Sequence, residues 1–254
     1  MPAVGLDVGN AHAKLLATAP DIRIGMLVGK DKQFAVFDDA VGKGNGTVGE
    51  LALDVLSGVD VEIDFDKMTL NLFSQDHCEG EVVYWAPEYA TVSFKTDAAG
   101  HPSVKMQLDS KPLTVAFALD PGPGRMAMAT ATRLFGIKET TPGMTSVAAD
   151  ANNASVRYRY PFRQLTIEGV TVNNPVIEIN PDTKECRPVL RYQMGGWNYC
   201  YGASELKLGI QEMRRLHQYF AFKEKKLYVT PASAAGAKDQ PAPTGAPAQL
   251  GKPI

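Results

Sequence analysis

Only three cysteines occur in 254 residues, and none forms a Cys-x-x-Cys pair, so the thiolate spacing of a structural zinc site is missing. The four histidines, His12, His77, His101 and His217, share no metal-ligand spacing either, and each is expected on the surface or partly buried. Neither metal nor cofactor is therefore implied. Charge of one sign is also lacking: the net charge is −2, with no basic stripe to neutralise phosphates, which argues against a nucleic-acid partner. The basic residues that do cluster, Arg214, Arg215, Lys223, Lys225 and Lys226, flank a strand and a turn and read as a solvated face. No apolar run approaches the roughly 20 residues that a membrane-spanning helix needs. Met1 is followed by a strand-like segment, without the basic and apolar regions of a signal peptide. The glycine-rich stretch from Gly42 to Gly49 lacks the Lys-Ser/Thr and following helix of a phosphate loop.

What the sequence does contain is internal similarity. The run LALDVLSGVDVEIDFDKMTLNLF, from Leu51 to Phe73, aligns without a gap on LGIQEMRRLHQYFAFKEKKLYVT, from Leu208 to Thr230, 157 positions on. In both, a short helical stretch (Asp54 to Ser57, Gln211 to Arg214) leads into an alternating strand, a turn with Lys, and a closing strand. The first strand carries Val59, Val61, Ile63 and Phe65 in one copy and runs from Leu216 to Phe222 in the other; the closing strands carry Leu70 and Leu72, and Leu227 and Val229. A second block, Asn10 to Leu27, aligns on Asn153 to Val170 at an offset of 143. A duplicated fold unit is the implied origin. The 14-residue difference between the offsets places an insertion in the second copy, around Pro181 to Ser204, and long insertions belong in loops.

Composition agrees with two all-β units, since 44% apolar residues suffice for two modest cores. From Ala232 to Ile254 the chain is rich in Pro, Ala and Gly with little to bury, and is expected to be a disordered tail.

The order and spacing of residues in Leu208 to Val229 resemble the C-terminal part of a retropepsin-like aspartic protease lobe, in which a Leu-Gly step enters a short helix beside the active site. The first copy is similar, with Leu51-Ala52 in place of Leu-Gly, and its continuation from Cys78 to Trp85 resembles bacterial members with two lobes in one chain. The resemblance implies tandem all-β lobes of the closed-barrel type with short helices, the first lobe truncated. Expected limits are 1–88 for the partial first lobe, 89–231 for the second and 232–254 for the tail.

The resemblance also implies where the chemistry lies. Strands from Val104 to Leu119, with a turn at Asp109-Ser110, lead to Asp120-Pro121-Gly122, and a helix-forming segment from Ala129 to Ile137 follows. Asp120 takes the catalytic position, supported by Gly122 and by Leu208 and Gly209. In the family mechanism two carboxylates share a proton, one activating water while the other polarises the scissile carbonyl. The residue after the catalytic Asp is Thr or Ser in the family, and its hydroxyl ties the two loops together. Pro121 has neither that hydroxyl nor an N–H. A hairpin from Ala149 to Tyr160 takes the place of the substrate-covering flap, with Asp150, Asn152 and Asn153 as its contact residues.

The first lobe's own catalytic loop falls before Met1 in this register. Its carboxylate is then expected from a missing N-terminal segment or from a second copy in a homodimer. Asp7, in Leu6-Asp7-Val8-Gly9, is the alternative, but the 143-residue offset aligns it with Asp150 in the flap-like hairpin. Two functions follow from the resemblance: an aspartic endopeptidase acting on an extended peptide, and a pseudoprotease that binds peptide or serves as a scaffold. A carbohydrate-binding or transport β-protein would require the repeated signature to be coincidence. Because such relatives are usually exported, a disulfide between Cys186 and Cys200 is expected to anchor the insertion, leaving Cys78 over.

Overall fold

Branched and aromatic residues alternating with polar ones favour extended backbone. Strands accordingly dominate the computed structural model, which describes residues 7–8, 11–25, 27–37, 49, 56–96, 101–147, 156–181 and 204–232. The architecture is all-β with short helices. Contacts divide the chain into two compact units, Met1–Val55 with Lys184–Tyr201, and Leu56–Thr183 with Gly202–Ile254.

In the first unit a short strand, β1 (Asp7–Val8), pairs with β2 (Ala11–Ile24), which turns back onto β3 (Leu27–Phe37). Ile24 stands opposite Leu27, so the turn has two residues, and Gly25 takes φ 60° there. A two-residue hairpin turn that matches strand twist needs this left-handed backbone. Asp7 lies in this unit, its backbone paired with that of His12.

The second unit holds two sheets. The larger contains β7 (Lys95–Thr96), β8 (Pro102–Leu108), β9 (Lys111–Phe117), β10 (Arg125–Ala127), β11 (Thr145–Val147), β12 (Arg157–Pro161), β13 (Gln164–Ile167), β14 (Val170–Asn173), β15 (Val176–Asn180) and β16 (Leu206–Leu208). Their order is β11-β12-β15-β10-β16-β9-β8-β13-β14, with β7 beside β8, and among the described residues this path is open at both ends. The expected turn at Asp109-Ser110 joins β8 to β9, with left-handed φ of 44° and 65°. Asp109 can hold that conformation because its Oδ1 accepts the N–H groups of Arg163 and Gln164. The expected helix appears as α1 (Met128–Phe135) and stops short of Ile137. Gly136 ends it in the left-handed conformation, φ 69°, with its N–H returned to the Thr132 carbonyl. The base of the hairpin likened to a flap is β11 paired with β12. Asp150, Asn152 and Asn153 lie outside the described residues, as do Cys186 and Cys200.

The smaller sheet has β5 (Thr69–Phe73), β4 (Asp60–Asp64), β17 (Leu216–Ala221), β18 (Lys226–Pro231) and β6 (Ala90–Ser93), in that order. Its two hairpins, β4–β5 and β17–β18, are the two aligned segments of the sequence, and they meet along an antiparallel β4–β17 ladder. Their turns agree in detail: Met68 has φ 53° and Lys225, 157 positions on, has φ 54°. One face of this sheet presents Val61, Ile63, Phe220, Leu227 and Val229, all buried. Phe220 sets its ring edge-on to Phe94 and Phe117, the latter from β9, with centroids 6.2 and 5.4 Å away, which ties the two sheets into one core. On the opposite face the central strands are buried as well, at Glu62, Tyr219 and Tyr228, where residues 74–89 pack against them.

Two local expectations shift. Ala232, expected to open the tail, is 1% exposed and donates its N–H to the Arg215 carbonyl. The basic cluster is not wholly solvated either, since Lys226 pairs with Glu79 at 2.7 Å and Arg215 donates to the Asn173 carbonyl.

Candidate active site

Strand order creates the site. β16 inserts between β9 and β10, parallel to β9 and antiparallel to β10, so the link from Ala118 to Gly124 must arch over the end of β16. The chain leaving β16 passes beneath that arch through Gly209 and enters α2 (Ile210–Met213). Backbone hydrogen bonds fix the crossing: Ala118 N–H donates to the Leu208 carbonyl at 3.3 Å, Ile210 N–H to Asp120 at 3.0 Å, and Gln211 N–H to Gly122 at 3.1 Å. Bonds of this kind are each worth about 0.5–1.5 kcal/mol net, and together they convert an arch of glycine and proline into a rigid element.

Glycine is required here for two separate reasons. Gly122 has φ 100°, which side chains disfavour. Gly209 has an ordinary φ of −92°, but a Cβ there would fall 2.4 Å from the Gly122 carbonyl oxygen and 2.7 Å from that of Pro123. The arch sits directly on the Gly209 backbone. Asp120, Gly122, Leu208 and Gly209, grouped by sequence reasoning, are therefore neighbours.

Asp120 stands at the exposed crest, its side chain 46% accessible, with Arg125 Nη1 3.8 Å from its Oδ2. At such exposure the pair is worth at most about 1 kcal/mol. Arg125 also reaches inward, with Nε 3.7 Å from the carboxylate of Glu178, to which Arg157 Nη1 approaches at 3.3 Å. Glu178 is 2% exposed between the fully buried Ile177 and Ile179, and its N–H donates to the Gly124 carbonyl at 2.8 Å. The far foot of the arch is thus anchored to β15.

A second buried acid supports the same foot. Glu212, on α2, accepts the Gly124 N–H at 2.7 Å through Oε2 and is 3% exposed. Burial pushes its carboxyl up to about 7, against the opposing pull of the Gly124, Glu212 and Gly209 N–H groups and the Arg215 charge. Arg125, Glu178 and Glu212 were not singled out from the sequence. Glu178 sits in an apolar run and Glu212 in a four-residue helix of mixed polarity, patterns that carry no sign of a shared partner in Gly124. What the arrangement offers chemically is one carboxylate on a rigid, accessible loop, able to take a proton from water or polarise a carbonyl once a partner group is beside it.

Among solved structures the chain is similar to a retropepsin-like aspartic protease from Rickettsia conorii, at 12% identity and a TM-score of 0.37, covering 58% of this chain and 96% of that one. It is also similar to Basic 7S globulin from soybean, at 10% identity and a TM-score of 0.37, covering 85% of this chain and 67% of that one. No protein-family profile and no curated protein sequence matches the chain.

Proposed function

We propose that this chain is an aspartic-type endopeptidase unit in which Asp120 is one member of a two-carboxylate dyad. The supporting observation is the arch from Ala118 to Gly124, held over Gly209 by the backbone bonds of Ile210 and Gln211, which gives Asp120 a fixed and accessible position. The partner carboxylate comes from a second copy of the chain or from residues preceding Met1. An extended peptide lies against Asp120 beneath the β11–β12 hairpin, with Asp150, Asn152 and Asn153, which fall between the two strands in sequence, as its proposed contacts. The attacking water loses its proton to the ionised member of the dyad while the protonated member polarises the scissile carbonyl. Lobe limits of 1–88 and 89–231, and an origin by internal duplication, belong to the same reading. The matched turns at Met68 and Lys225, and at Gly25 and Glu168 (φ 60° and 42°, 143 positions apart), support that origin.

Two observations favour a non-cutting peptide-binding module of the same fold. Pro121 brings neither hydroxyl nor N–H to the loop, and Arg125 lies 3.8 Å from the Asp120 carboxylate.

The test is hydrolysis of a mixed peptide library between pH 3 and 7, with monomer and assembled species separated beforehand. The expected result is little cleavage by monomer, and cleavage by the assembled or N-terminally extended protein that pepstatin blocks and Asp120→Asn abolishes. Pepstatin-sensitive cleavage by a demonstrated monomer, or activity that survives Asp120→Asn, overturns the assignment; Asp7→Asn in the same assay tests the other acid. Peptide capture without cleavage by any species selects the binding module.

A further inference from the structure

Residues 74–89, which join β5 to β6 without strand or helix, lie across the outer face of the five-stranded sheet. That face carries Asp60, Glu62 and Asp64, alternate residues of β4 that point to one side, and they are 0%, 1% and 3% exposed. Buried carboxylates persist only when paired and hydrogen-bonded. The covering segment, β17 and neighbouring turns supply the partners.

His77 places Nε2 2.6 Å from Asp60 Oδ2, while its Nδ1 lies 3.1 Å from the Cys78 carbonyl and 3.5 Å from Glu224 Oε1. Asp60 also accepts the Phe222 N–H at 2.9 Å and faces the Tyr219 hydroxyl at 3.4 Å. Glu224 accepts the Gly80 N–H and the Tyr228 hydroxyl, with Lys226 4.0 Å away and itself paired to Glu79. Along the strand, His217 Nε2 is 2.7 Å from Glu62, which also accepts from Tyr84 and Asn71; Asp64 faces His217 Nδ1 at 3.8 Å and Lys67 at 2.9 Å. Trp85 lies flat on the His217 ring at 4.1 Å and donates to Thr230 Oγ1. Val82 and Val83 fill the gap over Tyr219, Ala221 and Tyr228.

Both ring nitrogens of His77 face acceptors, a geometry that only the doubly protonated ring satisfies. We propose that residues 74–89 form a proton-gated strap, seated on the sheet while His77 carries both ring protons and released when alkaline solution removes one. A neutral ring turns a nitrogen lone pair toward either the Asp60 carboxylate or the Cys78 carbonyl and Glu224, and movement of the covering segment that carries His77 relieves the repulsion.

The electrostatics act in the same direction. Burial opposes the charged His77 ring, but its bonds to Cys78 and Asp60 and the charges of Asp60 and Glu224 raise it above the ordinary 6.5. A raised basic group stabilises the fold fully below its unfolded value and loses that contribution as pH rises through the folded value. Burial likewise works against ionised Glu62 and Asp64, yet the bonds from His217, Asn71 and Tyr84, and from Lys67, hold them below the usual 4.5 and 3.8. Their contribution is lost as pH falls through those lowered values. The strap is tightest in mildly acidic to neutral solution.

Amide hydrogen exchange on the full chain, corrected for intrinsic rates, tests this at pH 6 and pH 9. Gly80 and Glu81, whose N–H groups bond to Glu224 and to the Cys78 carbonyl, are expected to lose protection at the higher pH, while β8 and β9 amides hold theirs. In a Trp197→Phe background, Trp85 emission should shift to longer wavelength over the same range as its stack on His217 parts. His77→Gln and Asp60→Asn should each remove the pH dependence, with β8–β9 protection reporting whether the variant is folded. Strap protection and Trp85 emission that stay flat in the unsubstituted protein overturn the proposal, as does a pH dependence that persists in folded His77→Gln.

Discussion

Glu62 and Tyr219 stand directly opposite one another on the β4–β17 ladder, and they are separated by 157 positions, the offset at which Leu51 to Phe73 aligns on Leu208 to Thr230. The same offset exchanges the pair Phe220–Val61 with the pair Gln218–Ile63. Two copies of a hairpin that pair antiparallel meet at their own equivalent residue only on a two-fold axis. If the hairpins are copies, that axis passes between Glu62 and Tyr219, beside the cluster in which Glu62 pairs with His217 and accepts from Tyr84 and Asn71. The chemistry at the junction is not symmetric, since an acid in one strand faces a phenol in the other.

Gly209→Ala should disrupt the arch although the glycine's φ is ordinary. The added methyl meets backbone atoms of Gly122 and Pro123 at 2.4 to 2.8 Å, and backbone cannot swing aside as a side-chain tip can. A loss of roughly 2–3 kcal/mol is expected from overpacking of this kind. Chemical denaturation, together with the amide shifts of Gly122 and Gly124, measures it. Unchanged stability and shifts would show that the arch rests on β16 loosely.

Glu212→Gln should remove a pH dependence rather than impose a uniform loss. A carboxyl raised from 4.5 to about 7 binds its proton more tightly in the folded chain, so stability falls as pH rises between those values. The full span corresponds to roughly 3 kcal/mol. Glutamine keeps an oxygen for the Gly124 N–H without that cost. The variant should melt higher than the unsubstituted protein at pH 8 and about equally at pH 4.5, and thermal scans at the two pH values decide the matter.

Asp120→Asn should leave the fold intact. Its side chain is 46% exposed and its ionic neighbour Arg125 is 3.8 Å away, so the change should alter stability by less than about 1 kcal/mol. A denaturant midpoint close to the unsubstituted value would let any loss of hydrolysis be attributed to the carboxylate. A large destabilisation would give Asp120 a structural role instead.

Cys186 and Cys200 are expected to form a disulfide that closes a loop of about 14 residues, worth roughly 3 kcal/mol in the chain-entropy account. Cys78 is exposed and free. Thiol counting on the oxidised, denatured chain should find one reactive group. Three would remove the bridge.

The sequence by itself determined the hairpins. Period-two alternation in Val59, Val61 and Ile63, the turn residues Asp109-Ser110, and the helix-forming run ended by Gly136 are local signals, and local backbone preference suffices to express them. The grouping of Asp120 with Gly209 came from the resemblance of Leu208 to Val229 to a retropepsin-like lobe, and not from any local signal at either residue. Tertiary structure alone decided the fate of the polar residues. Alternation along β4 identifies Asp60, Glu62 and Asp64 as one face, but whether that face meets water depends on residues 74–89, and the His217 that pairs with Glu62 lies 155 positions away. Glu212 and Gly124 meet across 88 positions for the same reason. Burial and hydrogen-bond partnership depend on which distant segments the sheet order brings together, so no window of sequence contains them.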